Sequence, residues 1–218
     1  MSSASSTERT DRVRATRRPA RERRRQIVDA AIEEFARKSF REVGTADIAA
    51  RVGVSEPTLY RHFTSKRELY LAAIDHSTTL IVGAWRSLAE RGPTPLDALR
   101  AIGLWSFEQL RDDPPHLAVR ARALVETSEP EAVGRLREHF EEMRSLVEGL
   151  YRSARDQGLV PRSIDARART WAFMSLGALL DRTQMLGLAA ELDAEAMARV
   201  TAGILPELLE RGETDPVD

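Results

Sequence analysis

The chain contains no cysteine, which excludes disulfides, a thiol nucleophile and a cysteine-ligated zinc site, and is compatible with a reducing compartment. Cytoplasm is the expected location. Long apolar runs are missing as well. The longest uncharged, largely apolar stretch is WAFMSLGALL, residues 171–180, well short of the roughly 20 residues that span a bilayer, so no membrane segment is expected. The first 25 residues lack the apolar core of a secretory signal, and Glu8, Asp11 and Glu22 depart from the acid-poor habit of a transit peptide. Catalytic signatures are absent too: there is no nucleophile elbow, phosphate-cradling glycine loop or dinucleotide fingerprint. His76, His116 and His139 share no metal-ligand spacing. Neither an enzyme activity, a metal nor a cofactor is expected. The paired acids Glu33-Glu34, Asp112-Asp113 and Glu141-Glu142 read as solvated helix surface.

What is present begins with an uneven charge. The formal net charge of −1 hides a basic first third and an acidic remainder. Residues 1–70 hold 16 Lys+Arg against 10 Asp+Glu, and the rest of the chain 17 against 24, so the two parts suit different partners. Residues 1–25 alone hold nine Arg and three acids, and residues 1–22 read as a flexible, solvated Arg-rich arm of the kind that follows a polyanion. With 218 residues and 42% apolar content, the chain can build one sizeable core or two small ones.

The periodicity is helical throughout. Between Arg23 and Ser39, the spacing of Ile27, Ala31 and Phe35 predicts an amphipathic helix. VGTADIAARVGVSEPTLYRHF then offers two short helices around Gly53, which is free to adopt positive φ, with Ser55 as N-cap of the second. That is a helix-turn-helix pattern. At 100° per residue, Leu59 and Phe63 share one face of the second short helix, while Pro57, Thr58, Arg61 and His62 spread over the other. Pro57 falls in the first turn, where its missing N–H costs little. The first short helix starts after a cap at either Gly44 or Thr45.

GTADIAARVGVSEPTLYRHFTSKREL resembles the DNA-binding signature of the TetR family of one-component transcriptional regulators, through Ile48-Ala49, Gly53-Val54-Ser55, Tyr60 with Phe63, and Lys66 with Leu69. The resemblance implies an all-α fold: an N-terminal three-helix DNA-binding domain over 23–70 and a helical bundle for effector binding and dimerisation over 71–213. It also implies that the second short helix lies in the major groove. Ser55, Glu56, Pro57, Thr58 and Arg61 then fall at or beside the bases, Glu56 accepting from a cytosine amine, Thr58 serving a phosphate or a thymine methyl, and Arg61 forking onto guanine. Thr45, Tyr60, His62 and Lys66 match phosphate-holding positions. Tyr60 also suits closure of the small core, and Lys66 an ordinary helix start.

From Ser65 onward the chain reads as longer helices: a linking helix capped by Ser65 and stopped by Gly92-Pro93, then segments at about Pro95–Arg111, Pro115–Thr127, Pro130–Gln157, Ile164–Gly187 and Ala194–Arg211, nine helices in all. Gly158 suits a C′ position and Ser163 an N-cap. Leu136, Phe140, Met143, Val147 and Leu150 form a core stripe. Residues 171–180 are apolar all round, as in a helix covered on two sides, either wholly internal or against a second copy. The resemblance favours the second copy, with helices near 164–187 and 194–211 joining those of a partner. It further implies an unidentified small-molecule effector, with Trp85, Trp105, His116, Met143 and Phe173 as candidate pocket residues. The resulting expectation is a homodimeric repressor on a near-palindromic double-stranded operator, released by its effector. The alternative is a constitutive or non-specific architectural DNA-binding protein.

Overall fold

The computed structural model describes residues 4–112, 114–126 and 129–186. They form helices α1 (Ala4–Arg37), α2 (Thr45–Arg51), α3 (Glu56–Tyr60), α4 (Lys66–Arg91), α5 (Pro95–Asp112), α6 (Pro115–Val125), α7 (Pro130–Asp156) and α8 (Ala166–Met185). Among the described residues there are eight helices and no strand, and the fold is all-α as expected. The ninth expected helix, 194–211, lies outside the described residues. One boundary differs from the sequence reading: α1 starts at Ala4 rather than Arg23. Arg, Ala and Glu, all strong helix formers, make up half of residues 1–22, the stretch read as a flexible arm, and their propensity favours helix upstream of Arg23.

The breaks between helices follow from local chemistry. At the start of α4 the Ser65 hydroxyl accepts from Glu68 N–H at 3.0 Å, the expected N-cap. At the end of α7, Gly158 has φ +71. Its N–H reaches Arg155 O at 3.0 Å and Leu159 N–H reaches Ala154 O at 2.9 Å, the paired bonds of a Schellman stop. At the start of α8 the cap is Asp165, not Ser163. One Asp165 oxygen accepts from the N–H groups of Arg167 (2.9 Å) and Ala168 (3.1 Å), a carboxylate being favoured at the positive end of the helix dipole.

Two clusters form the interior. The first gathers Ile27, Phe35, Ile48, Leu59, Phe63, Leu69 and Tyr70, and extends to Val119 and Ala123 of α6 and Leu136 of α7. The helix-turn-helix module therefore shares its core with the following bundle instead of closing on itself. Tyr70 sits against the rings of Phe35 (centroids 4.7 Å apart) and Phe40 (5.1 Å). The second cluster joins Ile81, Trp85, Leu99, Ile102, Met143, Val147 and Tyr151; of the expected α7 stripe, Leu136, Met143 and Val147 are buried, while Phe140 and Leu150 are partly buried. On α8, Thr170 and Met174 are buried, whereas Trp171 and Leu179 are 45% and 60% exposed, and Leu186, just past the helix, is 71% exposed. Among the described residues this helix is covered on one side. Glu34 corrects another expectation. It is buried, not solvated, and its Oε1 accepts from Arg51 Nη2 at 2.6 Å and Nε at 3.1 Å.

Candidate nucleic-acid interface

The recognition module is shaped by two glycines and a serine. Gly44, in extended backbone, is the N-cap of α2, which settles the choice left open between Gly44 and Thr45. Gly53 turns the chain with φ +66, a left-handed conformation that a side chain would strain. Ser55 supplies the N-cap geometry of α3, its carbonyl accepting from the N–H groups of Thr58 (2.9 Å) and Leu59 (3.1 Å). Its hydroxyl does not cap the helix but lies 2.9 Å from Thr58 Oγ1. Leu59 and Phe63 are fully buried, and Arg24 lies over the Phe63 ring at 4.3 Å, a cation–π contact. The apolar edge of α3 thus faces the core, and Ser55, Pro57 and Arg61 are exposed on the other side with Thr58 half-buried.

Eight of the nine residues expected at DNA fall into three groups, and the ninth, His62, follows Arg61 in the chain. Ser55, Pro57, Thr58 and Arg61 share the outward edge of α3. Among the described residues, Arg61 and His62, the latter half-buried, make no side-chain hydrogen bond or ion pair, so their donors are uncommitted. Thr45, Glu56 and Tyr60 are drawn together. The Thr45 hydroxyl donates to the Glu56 carboxylate, and the Tyr60 hydroxyl lies 3.1 Å from Thr45 Oγ1. Thr45 is buried, while Tyr60 is 42% exposed. Lys66 stands apart, with Nζ 3.3 Å from Arg41 O and 4.8 Å from the centre of the Phe40 ring. Partial burial lowers its pKa, opposed by the nearby carboxylates of Glu126 and Glu129.

Several residues that hold this module in place were not picked out from the sequence. Arg23 Nη1 donates to Val52 O at 3.3 Å, and Arg24 also reaches Glu68 at 3.7 Å. Glu68 accepts from the N–H (2.6 Å) and hydroxyl (2.7 Å) of Thr64, and these bonds hold its carboxyl below the usual range. From the bundle, Arg122 Nε donates to Ala36 O at 2.7 Å. Glu126 Oε1 accepts from Phe40 N–H at 2.6 Å, and Arg67 pairs with Glu129 at 2.6 Å. Apart from Thr64 and Glu68, these partners lie 29 to 86 positions apart, beyond what a helical period encodes.

Of the expected pocket residues, Trp85 and Met143 are buried in the second cluster and Trp105 and Phe173 pack partly buried against it. The Trp85 and Phe173 rings meet edge to face at 6.1 Å. His116 is not in that cluster. It is half-buried, and burial first, then the charges of Arg120 and His76, lower its pKa. Three buried donors lack a hydrogen-bond partner among the described residues: Ser77 Oγ, Trp85 Nε1 and Ser106 Oγ. A separate surface pocket of about 590 Å³ between α7 and α8 is lined by charged groups including Arg144, Glu148 and Arg152, together with Trp171, and contains none of the five. Among the described residues, no helix is long and apolar enough to cross a membrane.

Comparison with known proteins converges on the same module. Residues 27–73 match the family described as bacterial regulatory proteins, tetR family. The HTH-type transcriptional activator FasR of Mycolicibacterium smegmatis is 45% identical over 76 residues, which are 34% of this chain and 35% of that protein. The chain spans between 35% and 47% of the length of the first curated relatives that it matches. A fuller match is the HTH-type transcriptional regulator EthR of the same species, 29% identical over 205 residues, covering 93% of this chain and 91% of that protein. Among solved structures, the transcriptional regulator FadR from Bacillus subtilis in complex with stearoyl-CoA shares the fold with a TM-score of 0.68 at 18% identity, over 87% of this chain and 98% of that one.

Proposed function

Because the chain belongs to the TetR family of bacterial regulatory proteins, a family of transcription regulators and not of enzymes, we propose that it represses transcription as a homodimer on a near-palindromic operator and is released by a small-molecule effector. The observation that carries the DNA reading is the division of α3: Leu59 is buried against the core, while Pro57, Thr58 and the uncommitted Arg61 stand outward. An Arg fork onto guanine and a Thr methyl against thymine discriminate bases by about 1–3 kcal/mol per good contact. One such helix gives limited selectivity, and a two-fold pair on half-sites about 34 Å apart roughly doubles it.

Dimerisation is supported by the exposure, among the described residues, of Trp171 and Leu179 on α8 and of Leu186 just past it. An effector site in the second cluster is supported by the Trp85 Nε1 donor, because buried donors without partners are uncommon and an acceptor-bearing ligand satisfies one. The FadR from Bacillus subtilis, which shares the fold and was solved in complex with stearoyl-CoA, supports this reading. Residues 1–22 add basic charge to the chain, and a duplex complex that they join is strongly salt-dependent. Selection of duplexes from a random pool tests the reading. A two-fold symmetric consensus is the expected result; recovery of unrelated sequences at equal strength overturns it in favour of a non-specific architectural protein.

A further inference from the structure

The hydrogen bonds around Glu56 have a direction that follows from counting protons. A carboxylate only accepts, so the Thr45 hydroxyl donates its single proton to Glu56. That leaves the Thr45 oxygen as an acceptor, and the Tyr60 hydroxyl 3.1 Å away is the donor to it. The result is a relay from Tyr60 to Thr45 to Glu56 in which both hydroxyl protons point inward. A DNA phosphate also only accepts. For the exposed Tyr60 hydroxyl to hold one, its proton must first leave the Thr45 oxygen, which the charge-assisted Thr45–Glu56 bond polarises into a stronger acceptor. Glu56 itself spends one oxygen on the buried Thr45 and is only half-exposed, an orientation that serves α2 instead of a base edge.

We propose that Glu56 is a positioning residue that draws the Thr45 and Tyr60 hydroxyl protons away from the DNA backbone, lowering affinity for all duplexes alike without reading a base. The relay joins the first turn of α2 to both ends of α3, so it also fixes the angle between the two short helices. This gives the module a fixed inner geometry, with sequence reading left to Thr58 and Arg61. The inference rests on the reading of the protein as a duplex-binding regulator.

Glu56→Gln tests it. The amide removes the charge from the inner bond and is able to donate to Thr45, which frees the hydroxyl protons. Affinity is then expected to rise about fivefold, the worth of one ordinary hydrogen bond, and by the same factor for a duplex selected from the random pool and for an unrelated duplex of equal length. The base preference at every position stays as in the wild type. Glu56→Ala removes the acceptor altogether and carries the same expectation, so the test does not depend on one variant folding. In a Tyr60→Phe background the gain from Glu56→Gln falls to less than half. Lost preference at a single base pair, or affinity no higher than wild type, overturns the proposal. Failure of the wild-type protein to bind any duplex overturns the functional reading and this inference together.

Discussion

The Tyr70 hydroxyl donates to Glu126 Oε2 at 2.9 Å, across the boundary between the DNA-binding module and the bundle. The other oxygen of the same carboxylate accepts the Phe40 N–H at 2.6 Å. One side chain at the C-terminal end of α6 therefore ties down both the loop after α1 and the first turns of α4. With Arg122 holding Ala36 O, the end of α6 is bonded to the DNA-binding module at three points. Glu126→Ala leaves a phenol and a peptide N–H without partners in a partly buried site, where each unpaired group costs about 1–3 kcal/mol. The variant is expected to lose about 2 kcal/mol of unfolding free energy in urea titration, and Glu126→Gln, whose amide still accepts, less than half of that. An unchanged midpoint for the alanine variant contradicts this account of the interface.

Burial, then the hydrogen bond to Glu126, raises the Tyr70 pKa far above the ordinary phenol value of 10.0. Burial likewise pushes Tyr151 up to about 12. For both, the folded state keeps its proton when the unfolded chain has lost it, so their contribution is intact below about pH 10 and is lost as pH rises beyond it. Each group contributes a slope of up to about 1.4 kcal/mol per pH unit in that window. Stability measured by denaturant titration from pH 9 upward is expected to fall less steeply in Tyr70→Phe and in Tyr151→Phe than in the wild type. Equal slopes in all three proteins contradict it.

The order of helices was legible in the sequence because their stops are local. Gly92-Pro93, Pro114-Pro115, Gly158 and the Ser65 cap each act within a turn of chain. Ser163 failed as a cap because Asp165, two residues on, offers a stronger acceptor at the same helix end. Glu34 carried a signal that was passed over: it lies seven residues after Ile27 and four after Ala30, on the stripe that buries, but its pairing with Glu33 made it look like surface. Its partner Arg51, on another helix, had no such signal. The outward face of α3 was readable from its phase, yet the inward turn of Thr45 toward Glu56 was not, since a helical period places a residue on a face and says nothing of where a hydroxyl proton points. Lys66 was assigned by its match to a motif, and its place over Phe40 depends on how the loop after α1 folds back.

The exposed side of α8 predicts the consequence of charge there. Leu179 is 60% exposed and lies two turns beyond Trp171 on the same helix. In a two-fold assembly built on α8, Leu179→Arg places like charges near the axis in an apolar interface, where an unpaired buried charge costs several kcal/mol. Sedimentation is expected to show a wild-type dimer and a variant that dissociates to monomers at micromolar concentration, with helix content unchanged by circular dichroism. A variant that sediments like the wild type removes α8 from the interface.

Arg61 and Thr58 decide whether α3 reads sequence. Arg61 projects from the C-terminal end of α3 and is committed to no carboxylate among the described residues, so its guanidinium reaches a groove without breaking an existing bond. Thr58 shares its hydroxyl with Ser55 at 2.9 Å, which leaves its methyl as the distinguishing contact. Arg61→Ala is expected to weaken binding to the selected duplex by about ten- to a hundredfold, the range for losing one bidentate base contact, and to relax preference at one base pair per half-site. Thr58→Ala weakens binding less and relaxes a neighbouring position. Neither substitution touches the buried Leu59 or Phe63, so the melting temperature stays within about 2 °C of wild type, as for ordinary surface changes. Binding to an unrelated duplex falls only by the share that one positive charge contributes to phosphate attraction. The ratio of the two losses, measured at one salt concentration, separates a base reader from a backbone contact: equal losses on both duplexes place Arg61 on the phosphates and move the reading of sequence elsewhere.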